Sequence, residues 1–268
     1  MTSMIKPKKS LGQNFLRDES VVQKIITSAN LTADDFIIEI GPGEGVLTEK
    51  LAEQAGKVLA IEIDRNLIPG LENKFKDTPN VEIIHADILN INLSELATNY
   101  KLPTTNYRVI ANIPYYITSP IIRLFLENTN QPQEMILMVQ KEVAERIAAK
   151  PGKMSILAVS VQYYADAEIL FTVSKNSFFP VPQVDSAVIR ITPNVNHETQ
   201  TTEEVKEFFK IVKAGFSAKR KTLVNNLSNT FHLDKNVVEE KLKTLGFTPN
   251  VRAQELSVED WKELQKLF

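Results

Sequence analysis

Apolar residues recur along this chain with two alternating periods, and the switches between them mark its elements. Val21, Val22, Ile25, Ile26 and Ala29 share one face of a predicted helix, and Phe36 to Ile40 reads as a short apolar strand. A glycine-rich turn, Gly41-Pro42-Gly43-Glu44-Gly45, follows that strand and opens a helix through Val46, Leu47 and Leu51. Val58 to Ile63 and Val81 to His85 are the second and third strands, with a helical stretch from Leu67 to Phe75 between them. Tyr107 to Ala111 and Met135 to Val139 supply two more, followed by helices over Ser119 to Glu127 and Lys141 to Ala149. Strand and helix in regular alternation predict an α/β fold, a Rossmann-like doubly wound sheet that is mostly parallel. Ile169 to Val173 and Ala187 to Ile191, joined by a proline-containing loop, are expected to close it as an antiparallel pair.

The pattern then changes. Thr192 to Thr202 is polar and contains Pro193, and beyond it only helical periods remain, near Glu203 to Phe216, Arg220 to Phe231, Val237 to Leu245 and Val258 to Phe268. Thr201 with Glu204 and Ser257 with Asp260 have the spacing of capping boxes. The expected organisation is a sheet domain over residues 1–194 and a small all-helical domain over 195–268. No internal repeat or low-complexity tract interrupts either.

Composition narrows the chemistry. With 268 residues, 43% hydrophobic, the chain can bury a full core, and no apolar run approaches the roughly 20 residues that span a bilayer. The basic stretch Met1 to Ser10 has no apolar segment behind it and does not read as a secretory signal. Absence of Cys excludes disulfides, thiolate catalysis and Cys-ligated zinc, and His85, His197 and His232 are too scattered for a metal site, so no metal is expected. The expected compartment is the cytoplasm. A net charge of −2 and a pI near 6.0 argue against indiscriminate coating of nucleic acid. Two local clusters can nonetheless neutralise phosphates: Lys6, Lys8, Lys9 and Arg17, and Lys213, Lys219, Arg220 and Lys221. The plain alternative for each is a solvated face.

Asn112-Ile113-Pro114-Tyr115, at the end of the fourth predicted strand, is the most specific chemical signal. An exocyclic amine of a base is a poor nucleophile because its lone pair is delocalised into the ring. A site that alkylates it needs acceptors that draw on its protons and favour a tetrahedral nitrogen. The Asn112 amide oxygen and the Ile113 carbonyl before Pro114 can be those acceptors, and Tyr115 offers a flat face for an extruded base. Taken alone, such a tetrapeptide reads better as a strand ending in a proline-fixed turn with a half-buried Tyr.

Its neighbours decide. Gly41, Gly43 and Gly45 give G-x-G-x-G, whereas a dinucleotide fingerprint needs a third glycine where Val46 stands, so the turn is unsuited to a pyrophosphate. Glu62, about 20 residues on, is placed to accept from both hydroxyls of a ribose. Asp87, after the third strand, can accept from an adenine amino group. All lie at the carboxyl ends of adjacent strands, where open sheets bind ligands.

E-I-G-P-G-E-G, the Glu62 strand end, Ala86-Asp87 and N-I-P-Y together resemble the class I S-adenosylmethionine methyltransferases, and within them the rRNA adenine N6-dimethyltransferases of the small-subunit type. Lys9 to Leu16 (K-S-L-G-Q-N-F-L), Phe178 to Ser186 (F-F-P-V-P-Q-V-D-S) and Arg220 to Leu227 (R-K-T-L-V-N-N-L) resemble three further segments of that family, so the likeness covers nearly the whole chain. It implies that Asn14 and Leu16 close over S-adenosylmethionine, that Gly41 faces its methionine portion with Gly43 in the same turn, and that Glu62 and Asp87 hold ribose and adenine. Asn112 serves cofactor and target, and Tyr115 and Phe178 sandwich the flipped adenine. Lys8, Lys9, Arg17, Lys219, Arg220 and Lys221 are the expected rRNA contacts. Tyr116 departs from the Asn found in many bacterial members and is expected to change a pocket wall. The activity implied is dimethylation of two adjacent adenosines in the 3′-terminal hairpin of small-subunit rRNA, by a monomer, on an immature 30S-type particle. Three alternatives stay open: an Erm-type enzyme of large-subunit rRNA, a DNA adenine methyltransferase, and an assembly factor with secondary methylation.

Overall fold

The computed structural model describes residues 7–103, 106–194 and 201–268. Lys6, His197 and the domain junction expected at residue 195 lie outside them. The chain divides into two compact units. The first comprises the described residues up to Ala144 together with Asp166–Pro193, and the second comprises Glu145–Ala165 and the chain from Asn194 onward.

In the first unit, β1 (Phe15–Leu16) leads into α1 (Glu19–Ala29), capped by the Asp18 carboxylate and ended by Asn30 in the left-handed region. Then come β2 (Phe36–Ile40), α2 (Val46–Ala52), β3 (Lys57–Glu62), α3 (Ile68–Phe75), β4 (Val81–His85), α4 (Leu93–Tyr100), β5 (Tyr107–Asn112), α5 (Thr118–Leu126), β6 (Glu134–Gln140) and α6 (Lys141–Ile147), whose residues from Glu145 count with the second unit. After α7 (Ile156–Gln162), which belongs to the second unit, β7 (Ala165–Val173), β8 (Phe178–Phe179) and β9 (Ser186–Pro193) complete the strands. Seven of them form one sheet in the order β4-β3-β2-β5-β6-β9-β7. The first five run parallel and β9 is antiparallel to β6. Both faces are covered, so β2 is buried at all five positions and β6 at its five central ones, the continuous apolar run expected of parallel strands. The winding direction reverses between β2 and β5. A cleft therefore opens beyond their carboxyl ends, where Gly41 and Asn112 stand.

The second unit has its own core. α8 (Thr202–Gly215), α9 (Leu223–Phe231), α10 (Lys235–Thr244) and α11 (Val258–Gln265) pack around Trp261, and both expected capping boxes, at Thr201 and Ser257, are formed. This unit reaches further back than the polar break near residue 195. Met154, Ala158, Val159 and Tyr163 share its core, with the Tyr163 ring 4.2 Å from that of Phe208. α9 also starts later than expected, because Thr222 caps it and leaves Arg220 and Lys221 exposed in the preceding turn. At the end of α8, a Cβ on Gly215 would stand 2.3 Å from Trp261 Cη2. Gly215→Ala is accordingly expected to lower the stability of this unit by about 3 kcal/mol or more. Trp261 is the sole tryptophan, so a denaturant titration followed by its fluorescence tests this directly.

Candidate active site

The cleft at the switch point is lined by residues 11–16, the turn after β2, the ends of β3 and β4, and Asn112 to Ile117. The glycine turn follows from its backbone, which is left-handed at Gly41, Gly43 and Gly45. Nothing lies within 4 Å of where a Gly41 Cβ would stand, so the space before that glycine is open to a ligand. At Gly43 a Cβ would meet the Phe15 ring at 3.0 Å, so the turn also lets Phe15 close down on it.

Glu62 is almost fully buried at the end of β3. Its Oε1 accepts from the Asp64 amide at 2.8 Å and its Oε2 from the Gly43 amide at 3.2 Å. Burial raises its pKa, against those two amide donors. Each oxygen keeps a lone pair for a hydroxyl, which fits a vicinal diol such as ribose. Asp87 has a local duty as well: it accepts from the Leu89 amide at 3.0 Å and the Asn90 side chain at 2.9 Å, capping a short 3-10 turn. Both acceptors remain capable of a further bond.

Asn112 ends β5, in register with Met138 of β6. Its Nδ2 donates to the Asn14 carbonyl at 3.3 Å. A carbonyl can only accept, so this bond fixes which way the amide is turned and directs Oδ1 elsewhere. Asn14 in turn donates its own amide to the Gly12 carbonyl. Tyr115 is half-buried, its hydroxyl 2.7 Å from Ser186 Oγ, and burial raises its pKa. Tyr116 projects into solvent beside Gly12.

One expected residue stands away from the cleft. Phe178 is only 3% exposed, in a core that includes Leu16, its partner in the two-stranded β1–β8 ladder, and does not line the cleft. Successive strand residues point to opposite sides, so Phe179, at 55% exposure, takes the outer face. Of the two residues expected to stack on a base, Tyr115 lines the cleft and Phe178 does not. Two of the N-terminal cations are engaged, and the Lys9 side chain lies outside what the structure describes. Lys8 pairs with Asp64 at 2.6 Å, and Arg17 meets Glu44 through both guanidinium nitrogens at 2.6 and 2.8 Å. The Arg17 pair is half exposed and weakly held, whereas Asp64 is buried. Lys219, Arg220 and Lys221 are exposed. Sequence reasoning passed over Asp64, Gln13 and Glu39, all in or beside the cleft; the side-chain partners of the first two lie more than 50 residues away.

Among the described residues no three His, Asp or Glu side chains cluster to hold a metal ion, and no helix is long and apolar enough to cross a membrane.

A doubly wound sheet closed by an antiparallel strand, with an acceptor-bearing cleft at its switch point, is the fold and site of the Rossmann-like methyltransferases. Solved structures agree over nearly the whole chain. The 23S rRNA methyltransferase ErmE superimposes with a TM-score of 0.75 at 28% identity, covering 95% of this chain and 99% of that one. A dimethyladenosine transferase from Plasmodium falciparum gives 0.76 at 26%, covering 93% and 95%. The family model for ribosomal RNA adenine dimethylase matches residues 4–268, and the chain belongs to that family of S-adenosylmethionine-dependent methyltransferases. Among curated relatives, the ribosomal RNA small subunit methyltransferase A of Dehalococcoides mccartyi (strain BAV1) is 44% identical over 97% of this chain and 88% of its own length. That of Enterococcus faecalis is 42% identical over 96% and 88%.

Proposed function

We propose that this protein transfers methyl groups from S-adenosylmethionine to N6 of two adjacent adenosines in the 3′-terminal hairpin of small-subunit rRNA, two to each, acting as a monomer in the cytoplasm on an immature small subunit. The observation that carries the chemistry is the Asn112 amide, held by the Asn14 carbonyl so that its oxygen is free to accept. The small-subunit target rests on the names of the relatives above 40% identity.

The residues fit the cofactor: Glu62 for the ribose diol, Asp87 for the adenine amine, open space at Gly41 for the methionine portion, with Gly43, Asn14 and Leu16 around it. When bound, S-adenosylmethionine supplies an electrophilic methyl on a sulfonium. The chain's own part is placement. Asn112 Oδ1 and the Ile113 carbonyl accept from the two N6 hydrogens, pulling the nitrogen toward tetrahedral geometry and localising its lone pair. Pro114 fixes the turn, and Tyr115 supports the base from one face. S-adenosylmethionine held by Glu62, Asp87 and the Gly41 turn would supply the methyl and leave as the neutral thioether, and the proton displaced from N6 would pass to solvent. Phe178 backs the β1–β8 ladder and becomes a second stacking face only if that ladder opens.

The exposed turn Lys219-Arg220-Lys221 is the proposed phosphate contact in the second unit, and Lys9 and Arg17 those in the first. Reversing Arg220 and Lys221 to Glu should weaken small-subunit binding at least about tenfold and flatten its salt dependence by about one unit per phosphate lost. An unchanged salt slope removes them from the interface. The function itself is tested by incubating the protein and labelled S-adenosylmethionine with unmethylated small or large subunits and mapping the product by mass spectrometry. Label on two adjacent adenosines of the small subunit is expected; label confined to large-subunit rRNA would overturn the assignment.

A further inference from the structure

Asp64 is a buried carboxylate, its side chain 2% exposed, that no step above uses. Three donors converge on it: Lys8 Nζ at 2.6 Å and the Asn66 amide at 3.0 Å on Oδ1, and Gln13 Nε2 at 2.9 Å on Oδ2. Gln13 closes a ring, because its Oε1 accepts from the Lys8 amide at 2.7 Å. These donors outweigh the burial that would raise the Asp64 pKa, leaving it lowered. The segment so knotted, together with Asn14, runs along the cleft: Leu11, Gly12, Gln13 and Asn14 all line it. Its far end is fixed by the β1–β8 ladder and by the Asn112 bond to Asn14. The backbone of Asp64 has a second task, since its amide is the donor that aims Glu62 Oε1.

We infer that Asp64 is a positioning residue for cofactor capture: its amide orients the carboxylate proposed to hold the ribose, and its side chain, through Lys8 and Gln13, fastens residues 8–14 across the cleft. Lys8 then serves cofactor retention and not rRNA phosphate. Loss of either charge leaves the other partly unpaired and the segment tied at one end. The fraction of molecules with the cleft covered falls, and apparent cofactor affinity falls with it. The inference rests on S-adenosylmethionine as the ligand, and its first readout, cofactor binding, needs no RNA.

The experiment compares wild type, Lys8→Met, Asp64→Asn and Lys8→Arg by calorimetry with S-adenosylmethionine alone, by amide hydrogen exchange over residues 8–14, and by small-subunit binding across a salt series. Lys8→Met and Asp64→Asn should each weaken cofactor binding about tenfold, equivalent to about 1.4 kcal/mol. Exchange over residues 8–14 should quicken, KM for the cofactor should rise with kcat largely kept, and the RNA salt slope should stay as in wild type. Lys8→Arg should restore affinity to within about threefold. Lys8 is 39% exposed and its replacement is tolerable to the fold, so Lys8→Met decides the matter even where Asp64→Asn unfolds. Cofactor affinity unchanged in Lys8→Met, or a reduced RNA salt slope with cofactor binding intact, overturns the inference and returns Lys8 to the phosphates. Failure of the wild type itself to bind S-adenosylmethionine overturns the cofactor reading as well, so the two failures are told apart.

Discussion

Asn112→Ala should slow methyl transfer by about 10²- to 10³-fold or more, the cost of removing one preorganised polar group aimed at developing charge, with little change in thermal stability. Asn112 is half-buried at the last position of β5, and its backbone pairing with Met138 does not depend on the side chain. What the variant loses is the one oriented side-chain acceptor for N6 and the tether to Asn14. Asn112→Asp separates the two. It keeps an oxygen for the amine but places a carboxylate against the Asn14 carbonyl, two acceptors facing each other, so the residue must turn away. Most of the loss should persist in Asp, which marks orientation and not oxygen count as the contribution. Single-turnover transfer with saturating RNA and cofactor measures this, and wild-type rates in the Ala variant would exclude Asn112 from the chemistry.

The sheet that positions Asn112 was legible because each strand is a buried apolar run closed by a turn residue. Phe36–Ile40 and Val81–His85 fall where periodicity puts them, and both capping boxes formed because a box is a purely local interaction. Elements whose reason is non-local were not legible. β1 and β8 have two residues each, too few to show a period, and exist only because they pair with one another. Which of Phe178 and Phe179 is buried depends on that pairing, and the F-F dipeptide carries no sign of it. α7 joined the second unit through its core residues Ala158 and Val159 and through the ring of Tyr163, just after it, against Phe208, some 45 residues later, which a polar break near residue 195 does not announce. The site follows the same division. Residue types suited to ribose, adenine and amine were readable along the sheet edge. Lys8 read as a free cation because its partner lies 56 residues away.

Glu39→Gln should remove a decline of stability with rising pH. Glu39 ends in the interior beside β2's neighbours, 1% exposed, and burial pushes its carboxyl up to about 8, with the Glu62 charge adding to the rise and Thr48 and Lys74 opposing it. Its Oε2 and the Thr48 hydroxyl have no hydrogen bond of good geometry, so little offsets the cost of ionising the group where it is buried. In the unfolded chain the same group ionises near 4.5. Between those values the native state holds a proton that the unfolded state has released, so stability is full below about 4.5 and declines as pH rises toward about 8. The decline is at most about 1.4 kcal/mol per pH unit from this one group. A neutral amide of the same shape has nothing to lose. The variant should match wild type near pH 5 and exceed it by a few kcal/mol, to order of magnitude, near pH 9. Denaturant unfolding of both proteins across that range gives a difference curve. A flat curve would mean that Glu39 is ionised throughout, and that the negative charge Glu62 presents to the cleft already has a second carboxylate beside it.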